Sequence, residues 1–276
     1  MALLNLKNVD GYRCFDIEQC RREGQVLSGR YASDNPFPHI VIDDFLDADV
    51  LKQVASEFPD SSGYSCFMRD QERLKFEYKP DESLGGMTRI LFAELNSHAF
   101  LQFLMEMTGI SGLIPDPYHA GAGLHEVKAG GHLSIHADFP RHEKMKINRR
   151  LNLLIYLNED WENEYGGALE LWDRKMRSAA QRIMPIFGRA VLFNTDRDTF
   201  HGHPDPLTCP PHRSRRSIAT YYYTAAPSAQ PGIDRTTNFQ PRPGTADKRD
   251  WRIMLRHLKA DWLPPALQRG RMNGPE

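Results

Sequence analysis

Cysteine is scarce in this 276-residue chain: Cys14, Cys20, Cys66 and Cys209 are widely spaced and form no CxxC pair. That spacing does not resemble a disulfide framework, and it favours a reducing, cytoplasmic setting. Net charge is nearly absent as well. With 35 basic and 36 acidic side chains the formal balance is −1, so the chain as a whole has neither the basic footprint of a nucleic-acid binder nor an acidic tail. Long apolar runs are missing. The best one, around Ala99 to Met105, is too short and interrupted to span a bilayer. The opening MALLNLKNVDGYRCF meets a charge too early for an export signal. There is no repeat of fixed period, no Gly-x-Ser-x-Gly elbow, no P-loop and no strand–helix GxGxxG. His125-Glu126 begins like an HExxH zinc site, but Ala129 stands where its second histidine would be. His125, His132 and His39 therefore read as structural, although His132 shares strand parity with His136 and could touch substrate.

What is present is a 40% hydrophobic, 10% aromatic composition, enough for a sizeable core, and eleven histidines, many of them between His98 and His212. If the protein carries chemistry, imidazole and carboxylate are its carriers. Texture divides the chain into a helical and strand support region over 1–112, a β core over 113–226 and an extension over 227–276. In the first region, 36–46 reads as an extended apolar strand. Asp47 is a candidate N-cap for a helix through Val50, Leu51, Val54 and Phe58. Residues 59–85 read as loop, and 88–107 as one helix closed by Gly109. From Leu113 onward, short apolar runs alternate with turn residues. Candidate strands are 123–127, 132–137, 150–157, 168–172, 189–193, 199–203 and 216–224, with Gly130-Gly131 and Gly166-Gly167 as turns. The expected fold is mainly β with flanking helices, a jelly roll or double-stranded β-helix. A helical stretch is expected near 251–258, in a tail whose Arg and Lys are solvated.

His136-Ala137-Asp138 ends a predicted strand, where residues two apart share a face, so an imidazole and a carboxylate enter the same space. Composition alone supplies about one His-x-Asp triplet by chance, and a second, His203-Pro204-Asp205, is indeed present. Order and spacing add what the triplet lacks. A non-haem Fe(II) site needs two imidazoles and one carboxylate, with open positions opposite. A further histidine, His201 or His203, lies a barrel's distance downstream. Arg215 then opens an alternating apolar run, and a guanidinium fork is what the far end of a dicarboxylate cosubstrate requires.

Five ordered blocks carry a resemblance. They are Gly130 to Asp138, then Arg150 to Asn158 with Trp161 and Gly166-Gly167, then Pro185 and Phe193, then His201, then Arg215-x-Ser217. Over roughly residues 35–227 the chain resembles the prolyl-4-hydroxylase-like branch of the 2-oxoglutarate/Fe(II)-dependent dioxygenases. The resemblance implies a hydroxylase that turns 2-oxoglutarate into succinate and carbon dioxide, with ascorbate admissible as a reductant. It implies that His136, Asp138 and His201 bind iron, that Arg215 with Ser217 binds the distal carboxylate of 2-oxoglutarate, and that Tyr156 lines that pocket. Asp138 would also favour hydroxylation over halogenation, since halogenating relatives lack this carboxylate.

Three departures from the pattern stand. His203 occupies a place where the family usually has a small apolar residue, so it competes with His201. Leu133 replaces a tyrosine of the animal enzymes, which weakens transfer of their peptidyl-proline substrate. Arg213 and Arg216 are alternatives to Arg215, which strand alternation favours because it puts Arg215, Ser217 and Ala219 on one face. Lys144, Lys146, Arg149 and Arg150 read as a solvated basic loop, and Tyr221-Tyr222-Tyr223 as strand core and rim. The expected partners are O2 and a small-molecule or peptidyl substrate, without nucleic acid or membrane. A competing reading is a non-catalytic, metal-stabilised cupin-like ligand-binding module, which leaves Arg215 and Ser217 without a task.

Overall fold

The computed structural model describes residues 2–33, 35–225 and 236–248, with single positions 251 and 255. Most of the helical stretch expected at 251–258 lies outside the described residues. The N-terminal segment forms a hairpin, β1 (Leu6–Val9) and β2 (Tyr12–Phe15), followed by helix α1 (Ile17–Ser33) and strand β3 (His39–Ile42). Helix α2 (Ala48–Ser56) begins where its cap requires, with the Asp47 carboxylate accepting from the Asp49 and Val50 amides.

The segment read as loop holds two strands, β4 (Phe67–Met68) and β5 (Glu72–Tyr78). β5 escaped notice because its charged residues face inward, against the usual polar-out pattern. The single helix expected over 88–107 is two: α3 (Gly86–Leu95) and α4 (His98–Thr108), the second capped by Ser97 and closed by Gly109 at φ 70°. The Ser97 hydroxyl oxygen accepts from the Phe100 amide, so the break has a local cause.

The remaining strands are β6 (Ile114–Pro115), β7 (Gly123–Ala137), β8 (Asn148–Tyr156), β9 (Leu169–Trp172), β10 (Ala179–Ile183), β11 (Ala190–Asn194), β12 (His201–His203), β13 (Ser214–Thr224) and β14 (Asn238–Phe239). They join antiparallel in the order β10-β9-β12-β7-β13-β8-β11-β3, with β5 and β14 also on β7. This is a rolled, nearly closed sheet with a jelly-roll core. β7 replaces the two strands and glycine turn expected at 123–137. Its first half pairs with β13 and its second with β12, and Gly130-Gly131 form a bulge instead of a reversal. Gly131 tolerates no side chain, since a Cβ would lie 2.6 Å from the Arg73 carbonyl oxygen.

Period-2 alternation assigns the faces of the sheet. On β8, Leu151, Leu153 and Ile155 pack towards the helices, with Val50, Leu51, Leu91 and Phe100 in the main core. Tyr156, with Phe37, Leu169, Val191 and Phe193, packs on the inner face. On β13, Tyr222 touches the helical side, its hydroxyl donating to the Leu95 carbonyl. Tyr221 and Tyr223 pack with Ala219 on the opposite side. Each fully buried aromatic or leucine contributes about 1.5–3 kcal/mol, so the helical layer holds this half of the sheet rigid from behind. The inner face is left free to form a cavity. No helix among the described residues is long and apolar enough to cross a membrane.

Candidate metal and cosubstrate site

Strands β7 and β12 run side by side with His201 opposite His136, which brings two distant histidines together. The ring centroids are 4.5 Å apart. Asp138 lies just past the end of β7, its Oδ1 3.7 Å from His136 Nε2 and its Oδ2 3.4 Å from His201 Nε2. One ligand atom from each residue falls within 4.8 Å of the others. Both rings are held in the tautomer a metal needs. His136 Nδ1 donates to the Ser134 carbonyl at 2.8 Å and His201 Nδ1 to the Thr199 carbonyl at 3.1 Å, leaving each Nε2 lone pair towards the cluster.

Burial pushes the His201 imidazole down to about 4, with His136 adding to the effect and Asp138 opposing it. That keeps the ring neutral and able to coordinate at ordinary pH. Burial would raise the Asp138 carboxyl, but Arg149, His201 and His136 outweigh it and hold the group well below the usual carboxylate range. Asp138 is thus ionised inside a mostly buried site. Its Oδ2 accepts from Asn152 Nδ2 at 2.6 Å and lies 3.3 Å from Arg149 Nη2. Two imidazoles and one oriented carboxylate, with no fourth protein ligand in the cluster among the described residues, fit a non-haem iron centre that keeps open positions.

Arg215 lies in the same cavity, on the inner face of β13. It is 5% exposed; its Nε donates to the Gly167 carbonyl at 2.8 Å and its Nη2 to the Tyr156 hydroxyl at 3.2 Å. Among the described residues no carboxylate pairs with it. Burial lowers its pKa, and Tyr156 opposes that. Ser217, two residues on, lines the cavity beside it. Arg216 faces the other way and pairs with Glu126, while Arg213 donates to the backbone carbonyls of Glu159 and Asp160. His203 also lines the cavity but stands outside the three-residue cluster, paired with Leu133 on β7, and its Nδ1 is buried without a partner. His39 bonds the Phe37 carbonyl, and His132 the Asp70 carbonyl.

Sequence reasoning missed Arg149 and Asn152. Strand parity places Arg150, not Arg149, inward with Asn152, and the basic run reads as solvated. A bulge opposite Tyr222 and Tyr223 skips Arg150 and turns Arg149 into the cavity. There its guanidinium carbon sits 3.5 Å above the Tyr221 ring and its Nε donates to Asn152 Oδ1. Asn152 itself was reachable from parity with Leu154 and Tyr156. Also unforeseen is the inner face of β5, which adds Glu72, Lys75 and Glu77 to the cavity wall. The C-terminal extension contributes too. β14 adds to the end of β7, and Phe239 packs 5.3 Å from the His136 ring.

Residues 122–223 match the family model of the 2OG-Fe(II) oxygenase superfamily. A prolyl hydroxylase from Trichoplax adhaerens, solved with a hypoxia inducible factor peptide, is similar over 75% of this chain and 91% of its own, at 18% identity and a TM-score of 0.56. A Pseudomonas putida prolyl-4-hydroxylase is similar over 74% of this chain and all of its own, at 15% identity and TM-score 0.53. A Phytophthora capsici prolyl 4-hydroxylase covers 92% of this chain and 78% of its own, at 21% identity and TM-score 0.53. No curated protein sequence matches. The matched segment, 122–223, spans the cluster and Arg215; this part of the chain is similar to the 2OG-Fe(II) oxygenase superfamily, whose cofactors are Fe(II) and 2-oxoglutarate, and the chain has a prolyl-4-hydroxylase-like fold.

Proposed function

We propose that the protein is a hydroxylase that inserts one oxygen atom of O2 into an unactivated C–H bond while 2-oxoglutarate becomes succinate and carbon dioxide. The observation that carries this reading is the joint placement of the His136–Asp138–His201 cluster and a buried, carboxylate-free Arg215 on one cavity wall. Iron with 2-oxoglutarate, when bound, supplies the oxidising chemistry; the chain supplies placement. His136 and His201 present their Nε2 atoms. Asp138 contributes the anionic ligand, aimed by Asn152 and Arg149. Arg215, held in orientation by Gly167 and Tyr156 and assisted by Ser217, receives the distal carboxylate of the cosubstrate by charge-assisted hydrogen bonds. Leu154, Leu169 and Phe193 line the cavity and limit water around the reacting centre. The mass balance is one substrate, O2 and 2-oxoglutarate in, and one alcohol, succinate and CO2 out.

The test is direct. Anaerobic addition of Fe(II) and 2-oxoglutarate to the full chain should produce a weak visible charge-transfer band that is lost in His136→Ala, Asp138→Ala and His201→Ala and kept in His203→Ala. A band that survives His201→Ala and vanishes in His203→Ala would reverse the ligand assignment. No band, and no succinate released under oxygen, would favour a binding module instead.

A further inference from the structure

The cavity has a second charged feature that binding iron and 2-oxoglutarate does not use. β5 turns Lys75 and Glu77 inward, opposite Val127 and His125 of β7, and β13 places Arg215 and Ser217 on the far side of the same two residues. Two rows, Lys75–Val127–Arg215 and Glu77–His125–Ser217, therefore cross three strands on the cavity wall. Lys75 Nζ lies 2.6 Å from Glu77 and 3.4 Å from Glu72, so one lysine serves two carboxylates. Its side chain is 9% exposed, and those of Glu72 and Glu77 are 14% and 23% exposed. Burial holds His125, 4.0 Å from Glu77, down to about 4, so it stays neutral. Lys79 gives Glu77 only a weaker, more distant field. Among the described residues no second cation reaches either carboxylate. The wall thus keeps one uncompensated negative charge in a site with little water, which is costly unless a cation completes it.

The opposite condition holds at Arg149. It is 3% exposed, and among the described residues neither buried terminal nitrogen has a hydrogen-bond partner and the one ionic contact, Asp138, is shared with the metal cluster. Tyr221 stands between the two poles. Its ring lies under Arg149, and its hydroxyl donates to the Gly121 carbonyl that also receives His125 Nε2. With iron and 2-oxoglutarate bound, Asp138 and Arg215 have their charges matched, so what remains is one positive pole and one negative pole facing the same space.

We propose that the substrate is a small zwitterion of amino-acid type, its acidic end received by Arg149 and its amino group by the Glu72–Lys75–Glu77 wall. This rests on the hydroxylase reading above and extends it to a substrate class. A prolyl residue within a peptide, neutral at both backbone ends, satisfies neither pole.

The experiment uses the full chain loaded anaerobically with Fe(II) and 2-oxoglutarate. The probes are the protein amino acids and ornithine as free zwitterions, their N-acetyl and C-amide derivatives, and a proline-containing peptide blocked at both ends. At least one free amino acid should perturb the visible band and raise succinate release tenfold or more once oxygen is admitted. Blocking either end should raise its half-saturating concentration at least tenfold. Glu77→Gln should do the same while leaving 2-oxoglutarate binding intact. The blocking arm needs no variant, so misfolding of Glu77→Gln would not spare the proposal. A blocked peptide or end-capped derivative that performs as well as the free amino acid overturns it. So does a normal band that no free amino acid perturbs. Failure of the band to form overturns the hydroxylase reading, and the substrate proposal falls with it.

Discussion

Replacing Arg215 with alanine should cost much in cosubstrate affinity and little in the stability of the unliganded fold. In the free protein its guanidinium is buried against one carbonyl and one hydroxyl, with no anion beside it among the described residues. A desolvated cation without a counter-ion stabilises little, so its removal should cost the unliganded fold less than a usual buried deletion. Bound 2-oxoglutarate would add charge-assisted hydrogen bonds that alanine cannot make, worth about 3 kcal/mol. That corresponds to roughly a 150-fold rise in Kd. Anaerobic titration of the visible band with 2-oxoglutarate measures this directly. Thermal unfolding provides a second readout. Cosubstrate at about 100 times the wild-type Kd stabilises the wild type by about 2.7 kcal/mol, and a 150-fold weaker binder by only about 0.3 kcal/mol. Arg215→Lys keeps the charge but loses the fork, and should fall between. An unchanged Kd in Arg215→Ala would refute the assignment of this residue to the cosubstrate.

Three further outcomes follow from particular contacts. Asn152→Ala removes the 2.6 Å bond to Asp138 and should weaken metal binding about tenfold or more, read by competition with a chelator. Gly202→Ala places a Cβ 2.7 Å from the Ser134 carbonyl oxygen and 2.8 Å from that of Leu133. It should lower stability by about 1–3 kcal/mol and separate β12 from β7, so metal affinity falls along with the melting temperature. His125 and His201 are held at about 4 in the fold, against about 6.5 when unfolded. The unfolded state therefore binds more protons between those values, so metal-free stability rises with pH across that window and is lost as pH falls through it. Each histidine contributes up to about 3 kcal/mol; urea midpoints at pH 4.5 and 7 check the sign, and His125→Gln should flatten the slope.

Much of the β core was legible because its inner and outer faces differ in polarity at every second residue. Leu151, Leu153 and Ile155 against Asn152, Leu154 and Tyr156 is such a record, and so is Ile218 and Tyr222 against Arg215, Ser217 and Ala219. β5 broke that code, with Lys75 and Glu77 inside and Phe76 and Tyr78 packed in the main core. The hairpin and long helix at the start were illegible for a different reason: β1 is largely exposed and carries little apolar signal.

The sequence by itself determined which chemistry was available. The His136-x-Asp138 pair follows from strand parity, and the order of the later His201 and Arg215 follows from covalent connectivity. Both are local or linear properties. Tertiary structure decided what sequence order cannot express. Pairing of β12 with β7 brought His201 opposite His136, sixty-five positions away, and left His203 opposite Leu133. One bulge in β8 exchanged Arg149 for Arg150 at the cavity wall, because a single inserted residue reverses the face of everything before it. The addition of β5 to β7 put an unbalanced carboxylate pair beside the same cavity. Its charge is invisible in a chain whose total is nearly zero, since burial and spacing decide which charges go uncompensated.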